Sequence, residues 1–240
     1  MINNEKKYKK KAWFRGLNNL LKIFLSKKEF VYLGQPITEG AIVLSNHVGT
    51  GAPLSWTMYN KNLPVRLWGA HEMNEGLISA YKYLSKTYYH QKKGWNLGLA
   101  RVFCIIAAPL TNMFYKGLNL ISTYRDSRFK KTIEESLETL KDGCNVVIFT
   151  ENSEDGYKDE LVGFHKGFLT LAKRALAKGL DCPIFVSYFR RKDKKYVVDA
   201  PIMASKLLEE EKDLDVIAQR LCDRCNELGK MELEETKTTK

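Results

Sequence analysis

The sequence lacks several features that would assign it directly to a class of protein. It has only five cysteines, an odd number without the spacing of a disulfide framework, which fits a reducing compartment such as the cytoplasm. It has no internal repeat and no low-complexity linker, so we expect one domain preceded by a basic arm. The basic N-terminal stretch is not followed by an apolar run with a small-residue cleavage site, so we expect no signal peptide.

Long apolar runs are scarce as well. The most apolar stretch, 102–110, is too short to span a bilayer and contains Pro109. We expect it to be buried or to lie at a membrane interface. Cys222 and Cys225 form a C-x-x-C pair without a second pair, and they share a helical face with apolar residues. This pattern favours packing over metal binding.

The sequence is basic, and the charge is unevenly distributed. Of the net charge of +11 over 240 residues, +8 lies in residues 1–28, which hold nine Lys or Arg against one Glu. Five residues of this arm fall on one helical face: Trp13, Leu17, Leu20, Leu21 and Phe24. A basic amphipathic helix of this kind can lie in the plane of an anionic membrane.

The arm has two further interpretations. It could be a first helix packed on the core behind a solvated group of lysines. A nucleic-acid-binding arm is less favoured, because aromatic residues are not interleaved with basic residues elsewhere in the chain. We therefore predict a membrane-surface arm at 1–30, one domain at 31–230 and a flexible polar tail at 231–240, with no nucleic-acid partner.

Apolar runs and helical patterns alternate along the chain. Strands are predicted at 41–45, 65–70, 118–123, 145–149, 184–189 and 196–199. Helices are predicted at 53–60, at 76–89, from an N-cap at Ser127 to Gly143, at 164–178 and at 212–228. Such alternation predicts the α/β class, with a mostly parallel central sheet flanked by helices.

Three polar residues lie just past predicted strand ends, where the sites of parallel sheets gather: His47, Arg125 and Glu151. His47 could act as a general base. Arg125 could bind a phosphate, and Glu151 could bind an acceptor hydroxyl or orient a base. Each residue also has a structural interpretation, namely a turn histidine, an arginine paired with Asp126, or a carboxylate at a strand end.

Lys166 and Gly167 begin a predicted helix, where a positive charge and free N–H groups could together bind an anion. The alternative is a helix start in which a small residue allows close packing.

Five short segments follow one another in a characteristic order, namely Asn46-His47, Tyr124-Arg125-Asp126, Phe149-Thr150-Glu151, Phe164-His165-Lys166-Gly167 and Pro183 before a strand. In this order and spacing, over about residues 40–200, they resemble the glycerolipid acyltransferase family, which includes the lysophosphatidic acid acyltransferases. The family has Asn-His with an Asp five residues after the His, a later Arg after a strand, and then Phe-Pro-Glu-Gly-Thr-Arg-Ser. The resemblance therefore implies an acyltransferase-like fold.

The resemblance also implies an activity. The family transfers an acyl group from a thioester of coenzyme A or acyl carrier protein to a lipid hydroxyl. By this resemblance His47 is the general base, and Arg125, Glu151, Lys166 and Gly167 bind a lysophospholipid-like acceptor. No metal or other cofactor is implied. With the basic arm, this predicts a peripheral enzyme of phospholipid biosynthesis at the cytoplasmic face of a membrane.

The sequence departs from the family at two positions where the family has a charged residue. Ala52 stands where the family has the Asp that orients the His, and Glu154 stands where it has an Arg. Loss of the orienting carboxylate in a comparable His–Asp relay costs roughly 10⁴-fold. Three other carboxylates are candidates to replace it: Glu72, Asp126 and Asp155.

Three functions remain open from the sequence. The first is an active acyltransferase with a divergent site, and the second is a non-catalytic lipid-binding relative. The third is a thioester hydrolase, in which water replaces the acceptor. The retained His47 and Glu151 favour the first, whereas Ala52 and Glu154 favour the second.

Overall fold

The described part of the chain folds around one mostly parallel sheet, which is covered by helices on both faces. This computed structural model describes residue 8 and residues 11–24, 27–47, 51–59, 63–151 and 159–233, apart from the side chains at 21, 23, 24 and 51–54. The predicted α/β class with a mostly parallel sheet flanked by helices is confirmed.

Eight strands lie within these ranges. They are β1 (Glu29–Tyr32), β2 (Ile42–Ser45), β3 (Val65–Ala70), β4 (Ile121–Thr123), β5 (Asn145–Phe149), β6 (Pro183–Arg190), β7 (Lys195–Val198) and β8 (Ile202–Met203). Their order across the sheet is β1-β7-β6-β2-β5-β3-β4, with β8 beside β6. Strands β6, β2, β5, β3 and β4 are parallel, and β6 pairs with β7 antiparallel. The predicted strands are present, although the one predicted at 118–123 begins only at Ile121, because Leu118 still belongs to the preceding helix. Strands β1 and β8 are additional.

The described helices alternate with these strands. They are α1 (Ala12–Phe24), α2 (Gly51–Tyr59), α3 (Leu77–Lys82), α4 (Leu97–Leu118), α5 (Phe129–Lys141), α6 (Gly167–Leu176), α7 (Ala204–Glu210) and α8 (Leu214–Lys230). A 3₁₀ turn, His71–Met73, leads into α3, and α3 continues directly into a π-helix, Tyr83–Lys92.

The central strands bury both of their faces. On β2, Ile42 and Leu44 pack into the cluster beneath α5, α6 and α8. Val43 points to the opposite face, where it packs with Trp56 of α2 and Phe14 of α1. Burial on both faces explains why these strands are continuous apolar runs rather than alternating ones.

Helix α5 begins at Phe129, and its N-cap residue is Arg128, which makes no side-chain capping bond, so the predicted cap at Ser127 is wrong. The Asp126 carboxylate accepts the backbone N–H of Arg128 at 2.9 Å, which forms an Asx turn just ahead of the helix. The predicted end is confirmed. Gly143 follows the helix with a φ of +78°, a conformation that glycine adopts without strain.

Residues 77–118, which connect β3 to β4 along the chain, form a helical layer made of α3, the π-helix and α4. Its inner side chains form a small separate cluster of Leu84, Tyr88, Cys104 and Ala108. Stretch 102–110 is part of the 22-residue α4, and it is mostly exposed, so the expectation that it is buried is wrong. Its placement at a membrane interface stays a prediction. The expectation that this region is too short to span a bilayer is also wrong, because α4 is long and apolar enough to cross one by length and composition.

Helix α1 is packed on the protein along one edge of its apolar face. The ring of Phe14 is buried against Gly117 of α4, a position where any side chain would collide with it. Trp13 and Leu20 are exposed, whereas Leu17 is half-buried against the core. The side chains of the remaining two predicted face residues, Leu21 and Phe24, lie outside the described part. The packed-helix interpretation therefore holds for Phe14, and a membrane contact stays a prediction for Trp13 and Leu20.

The C-terminal helix supplies apolar packing. Cys222 and Cys225 of α8 are fully buried and belong to the main hydrophobic cluster, as the packing interpretation predicts. Met231 and Leu233 pack against the same cluster, so the predicted tail is attached at its start. Residues 234–240 lie outside the described ranges.

Candidate active site

The sheet register places His47 and Glu151 side by side. Ser45 of β2 lies opposite Phe149 of β5 in the parallel ladder. Because His47 and Glu151 each follow by two residues, they leave the same edge of the sheet on adjacent strands. The His47 ring also packs edge-on against the Phe149 ring, with centroids 5.0 Å apart.

Asn46 fixes the backbone that carries His47. Its side-chain oxygen accepts the Phe189 N–H at 2.7 Å, and its amide nitrogen donates to the Phe189 carbonyl at 3.2 Å. Asn46 is buried, and only an amide offers a donor and an acceptor in this geometry. Thus the Asn of the Asn-His pair ties the end of β2 to β6, and its role here is positioning.

Glu151 is held by a backbone bridge. It pairs antiparallel with Phe164 just before α6, and the His165 N–H donates to the Thr150 carbonyl at 2.8 Å. The bridge joins the two ends of the segment 152–163, and residues 152–158 of that segment lie outside the described ranges.

One pocket of about 450 Å³ brings four of the five predicted site residues together: His47, Arg125, Glu151 and Gly167. This volume is typical of a small-molecule site. Arg125 reaches the pocket from the segment after β4, and Gly167 from the first turn of α6. The clustering agrees with the expectation that the carboxyl ends of parallel strands meet at one site.

Lys166 is not among the residues that line the pocket. Its ammonium pairs on the surface with the Asp215 carboxylate, at 2.8 Å. Gly167 has a packing reason for its identity, since a Cβ there would lie 3.1 Å from the ring of Phe129 and 3.2 Å from that of Trp68. The structural alternative for this pair, a helix start with a small residue, is therefore what the geometry favours.

The imidazole of His47 is neutral at physiological pH. Burial, together with the positive charge of Lys92, lowers its pKa to about 4. A neutral imidazole has a lone pair available to accept a proton, which is the state that a general base requires.

Glu151 shows the opposite shift. Burial raises its pKa, the backbone amide of His47 and the charge of Lys92 partly offset this effect, and the resulting pKa is about 7. Within the described residues, neither carboxylate oxygen has a side-chain hydrogen-bond donor. A buried carboxyl that titrates near neutrality is a common property of functional sites.

The pocket offers no obvious replacement for the missing Asp. Ala52 lies in α2, and Glu151 is the one carboxylate among the described lining residues. Of the sequence candidates, Glu72 pairs with His71 at 3.2 Å, and Asp126 pairs with Arg128 at 2.8 Å. Glu154 and Asp155 lie outside the described ranges.

Most of the lining residues are absent from the sequence prediction, among them Tyr83, Lys92 and Tyr115. All three come from the helical layer, so that this layer forms one wall of the pocket. No motif marks them, because their place depends on how the layer folds back over the sheet. The adjacent pair Lys92-Lys93 is the one sequence signal that could have indicated a second anion-binding cation.

Within the described ranges, no group of three or more His, Cys, Asp or Glu side chains is placed to hold a metal ion. No protein-family model matches the sequence, and no curated protein matches it significantly.

Proposed function

We propose that this protein is an O-acyltransferase at the cytoplasmic face of a membrane. It moves an acyl group from a thioester of coenzyme A or acyl carrier protein to a hydroxyl of a lysophospholipid-like acceptor. The observation that supports this best is the pocket itself. His47, Arg125 and Glu151 lie far apart in the chain, follow the order of the acyltransferase motifs, and line one cavity.

The chemistry needs one base and one cationic region. Neutral His47 accepts the proton of the acceptor hydroxyl while the hydroxyl oxygen attacks the thioester carbonyl. The carbon–sulfur bond then breaks, and the thiolate leaves with the proton from the imidazolium. Arg125 and Lys92 lie at the same pocket and would bind an anionic group of the acceptor, such as a phosphate.

A non-catalytic lipid-binding protein is the second candidate, and a specific observation favours it. Ala52 occupies the family's Asp position, and the described lining residues include no second carboxylate beside Glu151. Such a protein would keep the pocket and its cations but would not turn over thioester.

A thiol-release assay separates these functions. Purified protein is incubated with liposomes, an acyl thioester and a panel of lysolipids. We expect acceptor-dependent thiol release, reduced about 10²–10⁴-fold in His47→Ala because the general base is lost. His90→Ala, an exposed histidine outside the pocket, is the matched control and should retain activity.

The other outcomes are equally informative. Thiol release without any acceptor would indicate a hydrolase. Absence of release, with lysolipid binding retained, would identify the non-catalytic protein. Ala52→Asp sharpens the result, since an increase in rate shows that the site lacks only its orienting carboxylate.

A further inference from the structure

We propose that the outer face of the helical layer binds an anionic lipid bilayer. This surface is distinct from the basic arm at 1–30. It shares with the proposed function only the location at a membrane, and it does not depend on acyl transfer.

The outer face of α4 is apolar and exposed along its length. Ten of the sixteen large apolar side chains that are exposed among the described residues lie at 77–113. On α4 they recur at helical spacing and share one face: Leu99, Val102, Ile106, Leu110 and Met113. An exposed apolar patch of this extent marks a binding surface rather than an ordinary solvated one.

The charge of the layer identifies the partner. Residues 77–118 contain six basic residues and no Asp or Glu. Lys82 and Lys86 are exposed on α3 and the π-helix, and Lys82 follows the exposed Ile78 of α3 by one helical turn. Apolar surface combined with charge of one sign is complementary to a bilayer that carries anionic headgroups, since basic residues near such a surface are attracted to it.

Aromatic residues mark one end of the same face. Trp95 is exposed just before α4, and its ring lies 4.8 Å from that of Tyr89 and 5.4 Å from that of Phe103. Trp and Tyr are enriched where hydrocarbon meets headgroups, because their rings are apolar and their N–H or O–H groups are polar.

A second copy of the chain fits this surface poorly. In a two-fold dimer the same patch would face itself, so that lysines would oppose lysines without any carboxylate in the layer to pair them. An acidic lipid surface has no such conflict.

The helix lies along the membrane rather than across it. Its inner side is occupied by protein: Cys104 and Ala108 are fully buried, and Asn112 donates to the Met73 carbonyl at 3.2 Å. A helix with one side bound to the domain presents only the other side to lipid. Because Tyr115 of α4 lines the pocket, the membrane surface and the pocket lie on opposite sides of one helix, about 10 Å apart.

Vesicle sedimentation with the full chain tests this proposal. The probes are vesicles of phosphatidylcholine with phosphatidylglycerol, and of phosphatidylcholine alone. We expect Val102→Glu/Ile106→Glu to lower the partition coefficient for the mixed vesicles about tenfold or more, because charged groups must then enter the apolar boundary. The matched control, Val162→Glu/Val216→Glu, replaces two exposed valines outside the layer and should stay within about twofold of wild type.

A second pair of substitutions tests the contribution of positive charge to vesicle binding. Lys82→Gln/Lys86→Gln should weaken binding to the mixed vesicles about tenfold or more, whereas Lys173→Gln/Lys178→Gln, on the other side of the sheet, should not. Wild-type binding to phosphatidylcholine alone should be weaker than binding to the mixture.

Three results would overturn the proposal. One is wild-type protein that does not bind the mixed vesicles. Another is loss of binding in Trp13→Glu/Leu20→Glu while Val102→Glu/Ile106→Glu binds like wild type, which assigns the contact to the arm. The last is a wild-type dimer that becomes monomeric in Val102→Glu/Ile106→Glu. Thiol release with a water-soluble acceptor, measured in parallel, reports on the proposed function separately.

Discussion

The central sheet and the helical layer use the same amino acids in opposite ways. Ile184 of β6 is completely buried, whereas Ile106 of α4 is 73% exposed. The sheet is covered by helices on both faces, so its apolar side chains are buried within the domain. The layer covers the pocket with one side and leaves the other uncovered, so its apolar residues need a partner from outside the domain. Apolar residues therefore form the core in the sheet, whereas on the outer face of the layer they form an exposed surface.

The largest expected effect lies in the sheet. Ile184→Ala removes buried methylene groups and leaves a cavity, so it should lower the free energy of unfolding by about 2–5 kcal/mol. Urea unfolding followed by circular dichroism measures this change. A loss below about 1 kcal/mol would contradict the tight packing of Ile184 in the sheet, and with it the contrast between the sheet and the helical layer.

The pocket lies where the two regions meet, and its titrations test whether the layer seals it. Between about pH 4.5 and 6.5 the unfolded chain protonates His47 and the folded protein protonates Glu151, so the two pH dependences cancel. In Glu151→Gln only His47 remains, and stability should rise with pH by about 1.4 kcal/mol per unit from pH 4 to 6.5. In His47→Gln, stability should instead fall between about pH 4.5 and 7.

Urea unfolding of both variants at several pH values, with wild type as the flat reference, measures these slopes. The full change in each variant is about 3 kcal/mol, corresponding to about 2.5 pKa units. Equal and flat profiles in all three proteins would show that the helical layer leaves the pair open to water.

A smaller effect is expected where α1 meets α4. Gly117→Ala places a methyl group against the Phe14 ring, and should destabilise the protein by about 1–3 kcal/mol through overpacking. Phe14→Ala is destabilising by itself, but the loss in the double variant should be smaller than the sum of the two single losses, which a double-mutant cycle measures. Additive losses would contradict the contact between arm and layer.

The smallest effect is expected on the outer face of the helical layer. Ile106→Ala removes an exposed side chain and should change the free energy of unfolding by less than about 0.5 kcal/mol. The same urea measurement as for Ile184→Ala applies. A loss as large as that of Ile184→Ala would mean that the outer face is covered in solution.

Much of the sheet can be predicted from the sequence, and the reason is local. The runs 65–70 and 145–149 are strands because they are short, apolar and bounded by polar residues. His47, Arg125 and Glu151 converge because a parallel sheet directs its strand ends to one edge. The edge strand β1 is missed, since its four residues directly follow lysines and are only half-buried.

The helical layer is harder to predict, because its residues violate the usual link between apolarity and burial. Pro109 and the apolar stretch 102–110 indicate a short buried segment, yet both belong to the long exposed α4. Periodicity identifies a helix but does not show which side faces water. Lys92 is missed for the same reason, since only the folded layer brings it to the pocket.

The bridge between Glu151 and Phe164 has a consequence for how this protein can evolve. Both ends of the intervening segment are fixed to the domain, so its length and charge can change at little entropic cost and without moving Glu151. Under the proposed acyl transfer, exchange of segment 152–158 between related chains would be a practical way to seek altered acceptor selectivity.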